Sequence, residues 1–95
     1  MHSNTTIMVL AVIGRLNDDD RYAVKICEEL TRSTTWAPPL GTVYTVLRRL
    51  REMGAVQSYW SQTRAMVGGR ARRLYRLTNK GVSMLSEAEL SIRWR

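Results

Sequence analysis

The stretch Leu40-Gly41-Thr42-Val43-Tyr44-Thr45-Val46-Leu47-Arg48-Arg49-Leu50-Arg51-Glu52-Met53-Gly54 decides how the rest of the chain is read. Val43, Val46, Leu47, Leu50 and Met53 recur at helical spacing and make one apolar face. Thr42, Thr45, Arg48, Arg49 and Glu52 occupy the opposite side. Pro38-Pro39 precedes the pattern and Gly54 closes it, which are the usual start and stop signals, so a helix is predicted over about 40–53. An amphipathic helix with threonines at its start and arginines a turn later has two readings. It is a helix with a soluble outer face, or a helix that presents its polar side to base edges in a DNA major groove. The flanking sequence has to choose.

On the N-terminal side, Ile7 to Ile13 is apolar without interruption. A helix from about Thr5-Thr6 to Leu16 with no polar face belongs at the centre of a fold or in an interface. Asn17-Asp18-Asp19-Asp20 is read as the cap of a second helix, whose stripe is Ala23, Ile26, Cys27 and Leu30. Cys27 lies on that stripe and is expected to be a buried structural thiol. On the C-terminal side, Val56 to Trp60 and Arg72 to Leu77 are rich in strand formers, and Ser61 to Arg70 connects them as a long hairpin. Thr78 is placed as the N-cap of a last helix reaching Arg95, with Val82, Leu85 and Ile92 on one face and Met84, Ala88, Leu90 and Trp94 spreading apolar surface around it. The order is α-α-α-β-β-α: mainly α with a small β-hairpin, one winged helix-turn-helix domain over 1–95, with the wing at about 56–77 and the last helix at about 78–95.

Charge chooses between the two readings of the central helix. The chain of 95 residues carries a net +7, and nine basic residues against one acidic one fall between Arg48 and Lys80, a local +8. The remainder sums to −1. A one-sign field of this kind suits a polyanion, since neutralised phosphates release condensed counterions. Arginine dominates it, and its planar fork matches phosphate and guanine edges. In Gly68-Gly69-Arg70-Ala71-Arg72-Arg73 the glycines allow close approach and the arginines project from a narrow wing, where a narrowed minor groove attracts them. A solvated edge hairpin guarded by charge is the plainer alternative.

Other chemistry has little to stand on. The one histidine, His2, lies at the terminus, Cys27 has no base partner in reach of the pattern, and three consecutive aspartates lack the alternating oxygen ligands of a calcium loop. No enzyme activity, metal or cofactor is expected. The longest apolar run is seven residues, well short of the ~20 that span a bilayer, and a cytoplasmic protein is the expectation. Trp36, Trp60, Trp94 and the five methionines allow a small-molecule pocket at a subunit interface, although packing explains them as well. A winged-helix protein-interaction module is the other alternative, against which the one-sign field argues. Stacking aromatics of the kind that bind single-stranded RNA are not paired here.

Thr42-Val43-Tyr44, Leu47-Arg48-Arg49-Leu50, Gly54, Gly68-Gly69-Arg70, Arg72-Arg73, Tyr75-Arg76-Leu77-Thr78 and Gly81 occur in the order seen in the PadR-like family of bacterial winged-helix regulators. The sequence resembles that family from about Ile7 to Leu85, most closely over Gly41 to Gly81. Two departures stand out: Asp20-Arg21 occupies the place of a common His-Gly, and Pro39-Leu40 that of a Ser-Pro. The resemblance implies a dimeric transcription factor, often a repressor, on double-stranded DNA with an inverted repeat. It places Thr42 and Tyr44 at the DNA-facing start of the recognition helix and Arg70 to Arg73 in the wing. With Thr45, Arg48 and Arg49 from the helix pattern, the candidate DNA-binding set is Thr42, Tyr44, Thr45, Arg48, Arg49, Arg70, Arg72 and Arg73. The first and last helices are the expected homodimer contact.

Overall fold

The computed structural model describes residues 4–61 and 71–93, the last four by their backbone alone. Four helices and one hairpin follow in the expected order: α1 (Asn4–Arg15), a short 3-10 turn (Asp18–Asp20), α2 (Ala23–Ser33), α3 (Leu40–Glu52), β1 (Val56–Trp60), β2 (Arg73–Leu77) and α4 (Asn79–Arg93). The apolar run predicted to be central is central. Val9, Leu10, Val12 and Ile13 of α1 are buried, and α1 packs against α2, α3, α4 and β2. Ile7, Met8 and Ala11 on the remaining side are only partly buried, so one broad face of α1 supplies most of the apolar burial.

The start of α2 departs from expectation. The three aspartates do not cap it; they form their own 3-10 turn, closed by the Asp20 N–H donating to Asn17 O at 2.9 Å. Arg21 then reaches back, its Nε donating to Leu16 O (3.0 Å) and its guanidinium pairing with Asp18 (3.0 Å). Tyr22, extended at φ −121°, is the N-cap residue and makes no side-chain cap bond. The carboxylates stand too early in the chain to meet the free N–H groups of α2. Thr5 and Thr6 likewise lie inside α1 and do not precede it.

The connection from α2 to α3 is held by side chains. Thr34 Oγ1 donates to Leu30 O (2.7 Å) and accepts the Trp36 N–H (3.0 Å). Cys27 is half-buried, not fully buried, and its thiol donates to Pro38 O at 3.3 Å. Its place at the edge of the stripe, lining a shallow surface depression with Val24, Thr31 and Leu40, accounts for the difference.

α3 buries Val43, Val46, Leu47 and Leu50, with Met53 partly covered. It ends in a Schellman motif: the Ala55 N–H donates to Leu50 O (2.9 Å) and the Gly54 N–H to Arg51 O (3.0 Å). Gly54 has φ +81°, a left-handed conformation that glycine adopts without a Cβ penalty. The turn delivers the chain directly into β1.

β1 and β2 pair antiparallel, Val56 opposite Leu77, Ser58 opposite Tyr75 and Trp60 opposite Arg73. Period-2 alternation puts Val56, Ser58, Trp60, Arg73, Tyr75 and Leu77 on one face. Val56 and Tyr75 enter the core there. On its outer edge β2 is not free, because the Tyr75 N–H donates to Arg21 O at 2.9 Å.

α4 begins as predicted. Thr78 Oγ1 accepts the Gly81 N–H (3.2 Å) and donates to Gly54 O. The inward face, however, is Gly81 and Met84 with Leu85 partly covered. Val82, on the side it shares with Leu85 by spacing, is 49% exposed. The N-cap at Thr78 fixes the helix phase, and Gly81 is the residue small enough to sit against the α3–β1 corner. Ile92 and Leu90 have only their backbone described, and Trp94 lies outside the described residues.

Candidate nucleic-acid interface

The exposed side of α3 and the hairpin face beyond the core enclose an open groove of about 250 Å³, lined by Tyr44, Thr45, Arg48, Arg51, Arg73 and Tyr75. Tyr44, Arg48 and Arg51 fall at i, i+4 and i+7, one side of a helix. Their inner neighbours Val43, Leu47 and Leu50 are fully buried, which fixes the rotation of α3 and holds that row outward. Three guanidinium groups face the groove and no carboxylate lines it. Tyr44 is half exposed at 52%. Thr45 donates its hydroxyl proton to Gly41 O (3.1 Å), which leaves the oxygen as an acceptor.

The floor of the groove is Tyr75. Burial pushes its phenol above the usual tyrosine range, while Arg73 and Arg51 pull it part of the way back and Tyr44 pushes it up slightly. It is therefore a neutral hydrogen-bonding group at neutral pH. Arg73 is held in place before any ligand arrives: its guanidinium donates to Ser58 Oγ (3.0 Å) and lies over the Trp60 ring, 5.7 Å from the centroid.

The structure thus brings four of the eight candidate residues together: Tyr44, Thr45, Arg48 and Arg73. Thr42 and Arg49 are exposed on the other flank of α3, turned from the hairpin. Arg72 does not line the groove; its guanidinium stacks on the Tyr22 ring, 4.3 Å from the centroid. Arg70 and the glycines before it lie outside the described residues. Sequence reasoning missed Arg51 and Tyr75. The spacing from Tyr44 through Arg48 to Arg51 could have indicated the first. Tyr75 required the strand register. Among the described residues no group of three or more His, Cys, Asp or Glu side chains could hold a metal, and no helix is long and apolar enough to cross a membrane.

Comparison with known proteins bears on the fold and the family. The profile of the "Transcriptional regulator PadR-like family" matches residues 9–87. No curated protein sequence matches the chain. A PadR family transcription regulator from Clostridium difficile R20291 superposes with a TM-score of 0.81 at 23% identity, over 97% of this chain and 90% of that one. A PadR-like transcription factor from Bacteroides fragilis gives 0.74 at 26% identity, over 94% and 80%. Bacillus subtilis PadR, solved in complex with operator DNA, gives 0.70 at 15% identity, over 88% of this chain and 45% of that one. These are transcription regulators and not enzymes. With the four helices, the winged hairpin and a profile match over most of its length, this chain belongs to the PadR-like family of transcriptional regulators.

Proposed function

We propose that this regulator binds double-stranded DNA sequence-specifically as a homodimer and acts as a repressor, with α3 in the major groove and the hairpin near the flanking minor groove. The observation that supports it is the cationic groove between α3 and β2, where Arg48, Arg51 and Arg73 converge without an opposing carboxylate. The DNA-bound state of Bacillus subtilis PadR, which shares the fold, points the same way. Thr42, Tyr44, Thr45, Arg48, Arg49 and Arg51 are the residues of α3 available to bases and phosphates, and Arg70, Arg72 and Arg73 those of the wing. Two such units would engage successive grooves about 34–36 Å apart, or a multiple of that spacing.

Fluorescence anisotropy against the DNA upstream of the protein's own gene and against a scrambled duplex, across a salt series, tests this. Preferential binding to the upstream duplex that persists near physiological salt is the expected result. Weak binding that ignores sequence and vanishes with salt would reduce the groove to a basic surface.

The homodimer reading uses α1 and α4. Val82 leaves 49% of its surface exposed on α4, on a helix that packs against α1. Val82→Glu is expected to weaken association at least about tenfold, because a carboxylate in an apolar contact must be desolvated. Light scattering after gel filtration reads the change, with circular dichroism unaltered. A Val82→Glu protein that stays dimeric at the parent's concentrations would place the contact elsewhere.

A further inference from the structure

Trp60 is the most exposed large apolar side chain among the described residues, at 63%. It stands directly opposite Arg73 in the ladder, on the hairpin face whose continuation, Arg73 and Tyr75, lines the groove with α3. A wet indole at the mouth of a cationic groove is surplus to the core, which closes around Val56 and Tyr75 without it. Its ring lies under the Arg73 guanidinium, which Ser58 holds from the same strand. Flexible arginine side chains lose rotamer freedom when they grip a phosphate, and a side chain already held in place loses less.

We propose that Trp60 is a positioning residue for DNA binding: its ring, with Ser58, holds the Arg73 guanidinium over the groove to meet a phosphodiester of the duplex backbone. The inference rests on the DNA-binding reading above and gives Trp60 and Ser58 roles within it. The occupant follows from charge and shape. Arg48 and Arg51 extend the same cationic lining, and a sugar–phosphate strand offers both the anion for Arg73 and an apolar sugar edge for the exposed indole. The second arginine–aromatic pair of the hairpin, Arg76 over Tyr59 at 5.5 Å, lies on the opposite sheet face, with Arg76 donating to Gln57. It therefore serves as an internal comparison.

The test uses the full chain, the upstream and scrambled duplexes, and the variants Trp60→Ala, Trp60→Phe, Arg73→Ala and Trp60→Ala/Arg73→Ala. Trp60→Ala is expected to bind both duplexes roughly 3- to 30-fold more weakly, the span of a cation–π contact, with its melting temperature unchanged. Trp60→Phe, which keeps a ring, recovers most of the loss. The slope of log affinity against log salt falls by about 0.9 in Trp60→Ala, the value of one phosphate contact. In the Arg73→Ala background, removing Trp60 changes little further. Full affinity in Trp60→Ala overturns the proposal, as does a loss in the double variant equal to the sum of the two single ones. A loss confined to the upstream duplex with an unchanged slope would make Trp60 a base reader and overturn the positioning role. Failure of the parent protein to bind either duplex would sink the DNA-binding reading itself, an outcome distinct from the other three.

Discussion

Replacing Gly81 with alanine lowers the melting temperature by roughly 10–20 °C, the expected size for a loss of about 2–3 kcal/mol in a domain of this length. A Cβ built at Gly81 falls inside the van der Waals envelope of the Ala55 carbonyl oxygen, 3.2 Å from its carbon and 3.5 Å from Leu77 Cδ2. That oxygen is not free to retreat, because it accepts the Thr78 N–H at 3.0 Å. Relief therefore requires α4 to move away from the α3–β1 corner. Movement would strain the Thr78 cap and expose Met84, which is 5% exposed in the native fold. Helix propensity works in the other direction, since alanine is favoured over glycine in a helix by about 1 kcal/mol. Gly41→Ala isolates that term. Nothing lies within 4 Å of a Cβ at Gly41, so this variant should melt at or slightly above the parent temperature. Differential scanning calorimetry on both variants checks the argument. A Gly81→Ala protein melting within about 4 °C of the parent would show that the corner yields at little cost.

The second large effect is on DNA. Arg48→Ala combined with Arg51→Ala is expected to reduce affinity for the upstream duplex by about 2–4 kcal/mol, roughly 30- to 1000-fold. Both guanidinium groups line the groove, and neither forms an ion pair with a carboxylate among the described residues. The two arginines occupy different parts of the helix surface. Arg48 stands one turn from Thr45 and close to the outermost line of α3, where a base edge is within reach of a long side chain. Arg51 lies towards the hairpin, beside Arg73 and Tyr75, where the proposed duplex would present its backbone phosphates. The single variants should therefore separate. Arg51→Ala weakens all sequences alike and lowers the salt slope by about 0.9. Arg48→Ala erodes the preference for the upstream duplex over the scrambled one. Arg15→Ala removes the same charge from the end of α1, outside the groove, and should bind like the parent. Retention of affinity within about threefold in the double variant, under 1 kcal/mol, would put the DNA surface elsewhere.

Much of this architecture is legible in the residues because local signals and packing agree. The helix expected at about 40–53 is found at Leu40–Glu52 because its apolar period, Pro39 and Gly54 are all local. Thr78 is a cap in sequence and in structure for the same reason. The misreadings share a different cause. Asp18 to Asp20 carry the composition of a cap, but Arg21 folds back on Leu16 and Asp18 and its carbonyl meets β2. That tertiary demand moves the helix start to Ala23. Spacing groups Val82 with Leu85 and Ile92 on one face, but which side of α4 packs inward depends on the close approach of Gly81 to Ala55, 26 residues away in sequence. For the candidate site, charge content points to one third of the chain without distinguishing its arginines. Arg72, Arg73 and Arg76 lie within five residues of one another, but the pleat and three different aromatic rings, those of Tyr22, Trp60 and Tyr59, send them to three places.

The joint between α3 and α4 has a bearing on operator recognition. The Thr78 hydroxyl reaches Gly54 O, the Thr78 N–H reaches Ala55 O, and Lys80 Nζ reaches Met53 O at 2.7 Å, so the turn that closes α3 and the start of α4 are fastened at three points. In the proposed dimer these helices are the two legs of a drafting compass locked at its pivot. The tilt at which two copies of α4 cross then dictates how far apart the paired α3 helices stand. Half-site spacing on the operator would thus be encoded in a corner that touches no nucleotide, and a substitution there could retune which DNA is read while leaving every reading side chain in place.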